Sequence, residues 1–299
     1  MMTSHILPIA LLTLLTFQLT YAQNDDDSIK LDSSIVVLNA AVTDSGSKAV
    51  SGLLQKQFRV FEDGVEQEIV SFGTEETPFA AVILLDTSGS MEERVTLARA
   101  AAIQFIDGLR NEDNVAIYNF HSKIKLVQDF SNSRNLREQA FDLKADGMTV
   151  LNDAIYKAAQ LLSTRAEKRR AIIVLSDGAD TQSGRSSDAA LKAAMLANAS
   201  VYTVDMSAMN TGGRDRIQNQ GVLKNFAEKT GGKFVATPGG VAMRDAFRRI
   251  VEELGQQYTI TYQPSNSTKD GKWRAIELRI SRPNLTIRTR KGYNAPKIK

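Results

Sequence analysis

The 299-residue sequence contains no cysteine, one tryptophan, two histidines and six prolines. Without cysteine there is no disulfide, no thiolate metal site and no lipid-accepting cysteine after a leader. Long apolar runs are also missing. The Ile6–Phe17 stretch spans 12 residues, too few to cross a bilayer as a permanent helix, and no later stretch is long and apolar enough to do so. Charge is nearly balanced at +3, too mild an excess to imply nucleic acid. No Gly-Lys-Ser/Thr loop is present to cradle a phosphate.

The apolar stretch is followed by Thr20-Tyr21-Ala22, a small-x-small pattern, so residues 1–22 are expected to be a signal peptide and the protein secreted or periplasmic. The segment before the stretch is atypical, with His5 and no Lys or Arg; the alternative is a buried N-terminal helix. Cleavage would leave 277 residues (299 − 22), enough for one large domain and a small one. Residues 23–32 are polar and acidic, an expected disordered lead-in.

The rest is organised around Phe79–Met91. Ala81 to Leu85 is an apolar run with the length and flanks of a strand buried on both faces. It ends at Asp86, and Ser88 and Ser90 follow at alternate positions, with Gly89 between them permitting a sharp turn. From Glu92 the apolar residues Val95, Ala98, Ala102, Phe105, Ile106 and Leu109 recur every three or four positions, as on a helix. A carboxylate and two hydroxyls thus sit on a tight loop between strand and helix. Such hard oxygen donors suit Mg²⁺ or Ca²⁺.

Strand and helix patterns alternate through the middle of the chain. Strands are expected at 80–85, 115–120, 171–176, 201–206 and 233–236, with an edge strand near 124–128. Helices are expected at 92–109, 134–142, 151–163, 188–198, 220–230 and 241–254. This alternation implies a doubly wound, mostly parallel α/β sheet covered on both sides. Both ends of the chain are β-like. Residues 34–43, 58–62 and 65–72 precede the α/β part, with Asp63-Gly64 as a two-residue hairpin turn; 257–263, 273–280 and 285–290 follow it. The two groups are expected to form one smaller β-sandwich away from the crevice. The boundaries are then 33–77 for the first sandwich part, 78–255 for the α/β domain, 256–293 for the second part and 294–299 for a tail.

Asp86-x-Ser88-x-Ser90 after an apolar strand resembles the metal-ion-dependent adhesion site of von Willebrand factor A domains. Gly147-Met148-Thr149-Val150-Leu151 is similar to that family's Gly-Gly-Thr-x-Leu loop, and Ser176-Asp177-Gly178 to its Thr-Asp-Gly strand end. Met148 replaces the second glycine and Ser176 the threonine. Val60-Phe-Glu-Asp-Gly64 and Arg290-Lys-Gly-Tyr293 resemble bacterial secreted proteins related to this family. The resemblance implies strand order 3-2-1-4-5-6, which would bring Asp86 and Asp177 together at a crevice. It implies one divalent cation, Mg²⁺ with Mn²⁺ or Ca²⁺ as alternatives, held by Asp86, Ser88, Ser90, Thr149 and Asp177, the carboxylates acting mostly through water. It also implies a protein partner presenting Asp or Glu to the open position, met by rim loops near Met91, Met148 and Gly178.

Three other readings stand beside this one. Ser88 and Thr149 each precede a helical run and would serve as helix caps. Separately, the chain could be a structural or assembly module whose metal site is vestigial or only stabilising. A hydrolase would need His121, the histidine left after cleavage; no nucleophile elbow accompanies it. Two basic runs remain. Arg279–Lys299 carries seven basic residues and no acidic one, which fits an edge strand and tail or, less simply, an acidic partner. Arg165–Arg170 reads as a solvated helix end, and Asp180 as a turn residue or an anchor for the cation's water shell.

Overall fold

The computed structural model describes residues 35–73, 77–134, 147–207, 213–236 and 240–297. The expected leader and lead-in, and the body of the helix expected at 134–142, lie outside them. The first four strands are β1 (Val36–Thr43), β2 (Phe58–Glu62), β3 (Val65–Gln67) and β4 (Ile69–Gly73). Asp63 and Gly64, with φ of 48° and 84°, make the tight turn between β2 and β3 that a hairpin of this hand requires. The run 65–72 is two strands rather than one. It breaks at Glu68, and β3 pairs with β2 while β4 pairs with a strand of another sheet.

Then come β5 (Phe79–Asp86), α1 (Val95–Asp107), β6 (Asn114–Phe120), β7 (Ile124–Ser131), α2 (Leu151–Ser163), β8 (Arg169–Ser176), α3 (Ser187–Leu196), β9 (Ala199–Asp205), α4 (Arg214–Thr230), β10 (Phe234–Ala236) and α5 (Gly240–Gly255). The six strands form one sheet in the order β10-β9-β8-β5-β6-β7, parallel except for the edge strand β7. All eight residues of β5 are buried because strands flank it on both sides and helices cover both faces. Its side chains alternate between two cores. Ala81, Ile83 and Leu85 pack with α1 and α5; Ala80, Val82 and Leu84 pack with α2, α3 and α4. The expected helix 92–109 begins instead as a 3-10 turn, Gly89–Arg94, before α1.

The last strands are β11 (Tyr258–Tyr262), β12 (Trp273–Ile280), β13 (Thr286–Arg288) and β14 (Gly292–Asn294). They complete two four-stranded sheets, β13-β1-β11-β4 and β14-β12-β2-β3, which share one core including Leu38, Val60, Ile260 and Leu278. The β-sandwich is therefore built from both ends of the chain. Its C-terminal segment also changes sheets, between β13 and β14.

Polar ties hold the sandwich to the N-terminal ends of the parallel strands. The fully buried guanidinium of Arg169 donates to the carbonyls of Thr77 and Gly255, at 3.4 and 3.1 Å, and to the Thr259 hydroxyl of β11. This corrects the expectation of a solvated 165–170 end: Arg169 and Arg170 open β8, and acceptors at the domain junction hold Arg169, the first of the pair. Nearby, Arg288 of β13 bridges the Gly232 carbonyl and the Glu253 carboxylate of α5. Glu253 also accepts from the Tyr202 hydroxyl at 2.7 Å. Three of the seven basic residues from Arg279 onward have partners within the fold: Arg279 pairs with Glu277, Arg288 with Glu253, and Arg290 lies over the Tyr293 ring.

Candidate functional site

Strand order reverses between β5 and β8, so the crossovers after them leave on opposite faces and open a crevice at their C-terminal ends. Asp86 is the last residue of β5 and Asp177 follows the last residue of β8. The third loop, residues 147–150, comes alongside through a hydrogen bond from the Gly89 amide to the Gly147 carbonyl, 3.3 Å. Three loops distant in sequence thus meet at one point of the sheet.

Burial sets the electrostatics. Asp86 is fully buried; one carboxylate oxygen accepts from the Ser88 amide at 2.9 Å and the other from the Ser176 hydroxyl at 2.5 Å. Loss of water pushes its carboxyl up from 3.8 to about 6; the neighbouring Asp177 charge adds to this, and the bonds from Ser176 and Ser88 oppose it. With both oxygens already accepting, Asp86 is placed to order a water shell. Ser88 is buried and Ser90 exposed, and their hydroxyls stand 3.2 Å apart. Neighbouring oxygens on an octahedral Mg²⁺ with bonds of about 2.0–2.1 Å stand about 2.9 Å apart, so this pair fits one edge of such a shell. Thr149 is buried, and its hydroxyl makes no hydrogen bond among the described residues. No group of three or more His, Asp or Glu side chains able to hold a metal occurs among the described residues. A cation here would draw on hydroxyls and water as well as two carboxylates, a donor set that fits Mg²⁺.

The capping alternative for Ser88 and Thr149 does not hold. Ser88 precedes the 3-10 turn without a side-chain cap bond, and α2 is preceded by Val150, not by Thr149. The cap of α2 comes from across the crevice, where Asp180 accepts the Asn152 amide at 2.7 Å. Asp180 also holds the amide and hydroxyl of Ser183, so its role is to shape the turn.

The sequence reading missed the residues that hold the donors in place. The Ser176 hydroxyl bonds Asp86 and accepts the Gly178 amide at 3.0 Å, joining the β5 and β8 loops. Thr181 fixes Thr149 from both sides: its hydroxyl accepts the Thr149 amide and its amide donates to the Thr149 carbonyl, both 2.9 Å. One signal for Ser176 was a hydroxyl at the last position of an apolar strand, next to the candidate ligand. Nothing in the sequence marks Thr181.

Two of the residues that mark the expected rim loops are themselves buried. Met91 is fully buried, because the 3-10 turn rolls it into the core against α1, and Gly178 is buried against the α4 backbone. A Cβ at Gly178 would lie 2.6 Å from the Asn219 carbonyl oxygen, which explains the glycine there. Met148 is 55% exposed and does stand on the rim, with an ordinary φ that tolerates the replacement of glycine. His121 follows β6 directly; its backbone pairs with Val150 and its Nδ1 is buried without a hydrogen bond.

The von Willebrand factor type A domain description matches residues 81–179. No curated protein is similar enough in sequence to match. Among solved structures, the PilB minor pilin of Streptococcus sanguinis is 16% identical with a TM-score of 0.48; the match covers 62% of this chain and 63% of that one, so this chain spans less than two thirds of its length. A von Willebrand factor type A protein of Catenulispora acidiphila is 13% identical with a TM-score of 0.49, over 90% of this chain and 76% of that one. The pilus adhesin SpaC of Lactobacillus rhamnosus GG, in its open conformation, is 12% identical with a TM-score of 0.50, over 84% and 49%. The matched span, residues 81–179, runs from β5 to the loop after β8 and so holds both sides of the crevice; over it this chain is similar to a von Willebrand factor type A domain.

Proposed function

We propose that this protein is a non-enzymatic binding module acting outside the cytoplasm, in which a divalent cation, Mg²⁺ in preference to Mn²⁺ or Ca²⁺, holds an Asp or Glu of a protein partner. The observation that carries the reading is the meeting of three loops at which the Ser88 and Thr149 hydroxyls have no capping duty. The Ser88 and Thr149 hydroxyls cap no helix, and Ser88 and Ser90 lie at a spacing two cation ligands would share. In this reading Ser88, Ser90 and Thr149 bind the ion directly, while Asp86 and Asp177 hold its water shell. The bound ion supplies a positive centre for the partner's carboxylate. The exposed Met148 side chain offers apolar contact beside it. No helix among the described residues is long and apolar enough to cross a membrane.

The test has two readouts. Wild-type protein should gain thermal stability with Mg²⁺, and Ser88→Ala with Thr149→Ala should remove the gain. Partner capture from an envelope or extracellular extract should require Mg²⁺ and fail in chelator. A thermal gain with capture indifferent to chelator would leave a cation that only stabilises an assembly module. Equal thermal gains in wild type and variant would place the cation elsewhere.

A further inference from the structure

Where the sandwich meets the α/β domain, a small pocket of about 10 Å³ lies between the α3–β9 turn, the end of α4, β1 and the link from β13 to β14. Its polar lining is Asn39, Asn198, Ser200, Thr230 and Arg290. The Thr230 hydroxyl is engaged with the Phe226 carbonyl and the Val201 amide, and the Asn39 side chain with the Lys168 carbonyl. The Ser200 hydroxyl and the Asn198 side-chain amide have no hydrogen-bond partner among the described residues.

Arg290 is the charged group of this pocket. Its Nε is buried without a hydrogen bond, and no carboxylate lies within ion-pair distance of it among the described residues. The hydroxyls beside it, on Tyr262 and Tyr293, both donate to Glu62 and stay neutral, because burial and that carboxylate push them up. Loss of water lowers the Arg290 guanidinium from its ordinary value. An arginine keeps its proton in a protein all the same, so a buried positive charge here calls for a counter-charge. The backbone on both sides is fixed: the Thr289 hydroxyl donates to the Asn39 carbonyl at 2.9 Å, and the Lys291 amide to the Lys229 carbonyl at 3.0 Å.

We propose that this pocket binds one halide ion, chloride or bromide, held by the Arg290 guanidinium, the Ser200 hydroxyl and the Asn198 side-chain amide. Each of these groups is a hydrogen-bond donor, as a halide requires. The volume, close to one water-sized sphere, leaves no room for phosphate, sulfate or a carboxylate. Bound there, the ion ties the sandwich to the α/β domain, since Arg290 follows β13 and Ser200 belongs to β9. The site is independent of the cation reading.

The probe is sodium chloride against sodium gluconate at equal ionic strength, in chelator, with the full chain followed by thermal melting. At a tenfold excess over Kd, chloride should raise Tm by about 3 °C more than gluconate does. Arg290→Met keeps the aliphatic stem and should remove the gain. Ser200→Ala should raise the chloride concentration for half the gain about tenfold, as expected for losing one hydrogen bond to a charge. Asp86→Ala should leave the gain unchanged. Wild-type crystals grown in bromide should show its anomalous signal beside Arg290 and Ser200; if Arg290→Met does not melt cooperatively, that signal and Ser200→Ala decide. The proposal is overturned if chloride and gluconate act alike on wild type, if Arg290→Met keeps the gain, if Ser200→Ala leaves the half-gain concentration unchanged, or if the pocket holds water only.

Discussion

Replacing Asp86 by Asn should stabilise the cation-free protein above neutral pH. In the folded chain burial places the Asp86 carboxyl at about 6, against 3.8 ordinarily. A shift of about two units is worth about 3 kcal/mol. Because the folded value is the higher one, this stabilisation is complete below the ordinary value and is lost as pH rises through about 6. Asn carries no charge and escapes the loss. It has one acceptor where the carboxylate has two, so either the Ser88 amide or the Ser176 hydroxyl must find a new arrangement, costing about 1 kcal/mol. The net gain is about 2 kcal/mol at mildly alkaline pH in chelator, vanishing or reversing near the ordinary carboxyl value. Added Mg²⁺ inverts the ranking, since wild type gains about 2.7 kcal/mol at a hundredfold excess over Kd and the variant does not. Urea unfolding across this pH range, with chelator and with Mg²⁺, measures both effects. An Asn variant less stable than wild type at every pH in chelator would refute the buried-charge reasoning; an equal response to Mg²⁺ would refute the site.

Three further outcomes follow from particular contacts. Ser176→Ala removes the hydroxyl shared by Asp86 and the Gly178 amide; the Mg²⁺ concentration for half the thermal shift should rise about tenfold or more, and Ser176→Thr should restore it. Glu253→Gln leaves Arg288 without its counter-charge and should cost about 2 to 4 kcal/mol in urea unfolding, part of it recovered by adding Arg288→Met. Gly232→Ala would set its Cβ against the Val201 carbonyl of the central sheet and should cost more than about 3 kcal/mol, read as a lowered Tm.

What the sequence made legible depended on local chemistry. An apolar run ending in Asp86, or Asp63-Gly64 between two alternating segments, states its conformation within a few residues, and the strands appear within one to three residues of where the pattern puts them. Residues whose partners lie far away were harder. Arg169 reads as a solvated charge because the acceptors Thr77, Gly255 and Thr259 come from segments about ninety positions off. The run 65–72 reads as one strand because alternation continues through Glu68, while the change of sheet there is dictated by β11, nearly two hundred residues later. The burial of Met91 was not legible because a helix was expected to begin at Glu92, whereas a 3-10 turn carries Met91 inward. Thr181 is a similar case: its value comes only from facing Thr149 across the crevice.

The buried arginine at the junction bears on the order in which the molecule is made. β1 pairs with β11, and Val36 faces Tyr262, 226 positions away (262 − 36). A growing chain therefore carries β1 to β4 with unfilled edges while the whole α/β domain is still being synthesised. Closing so long a loop as free coil would cost entropy, and open edges invite pairing with other chains. The folded α/β domain removes most of that cost, because Arg169 binds both the carbonyl where the chain enters, Thr77, and the one where it leaves, Gly255. The two halves of the sandwich are then delivered side by side. The expected order is therefore the α/β domain first, as a template, and the sandwich last; a chain lacking the Arg169 guanidinium should linger with its N-terminal strands unpaired, read as faster proteolysis and self-association during refolding.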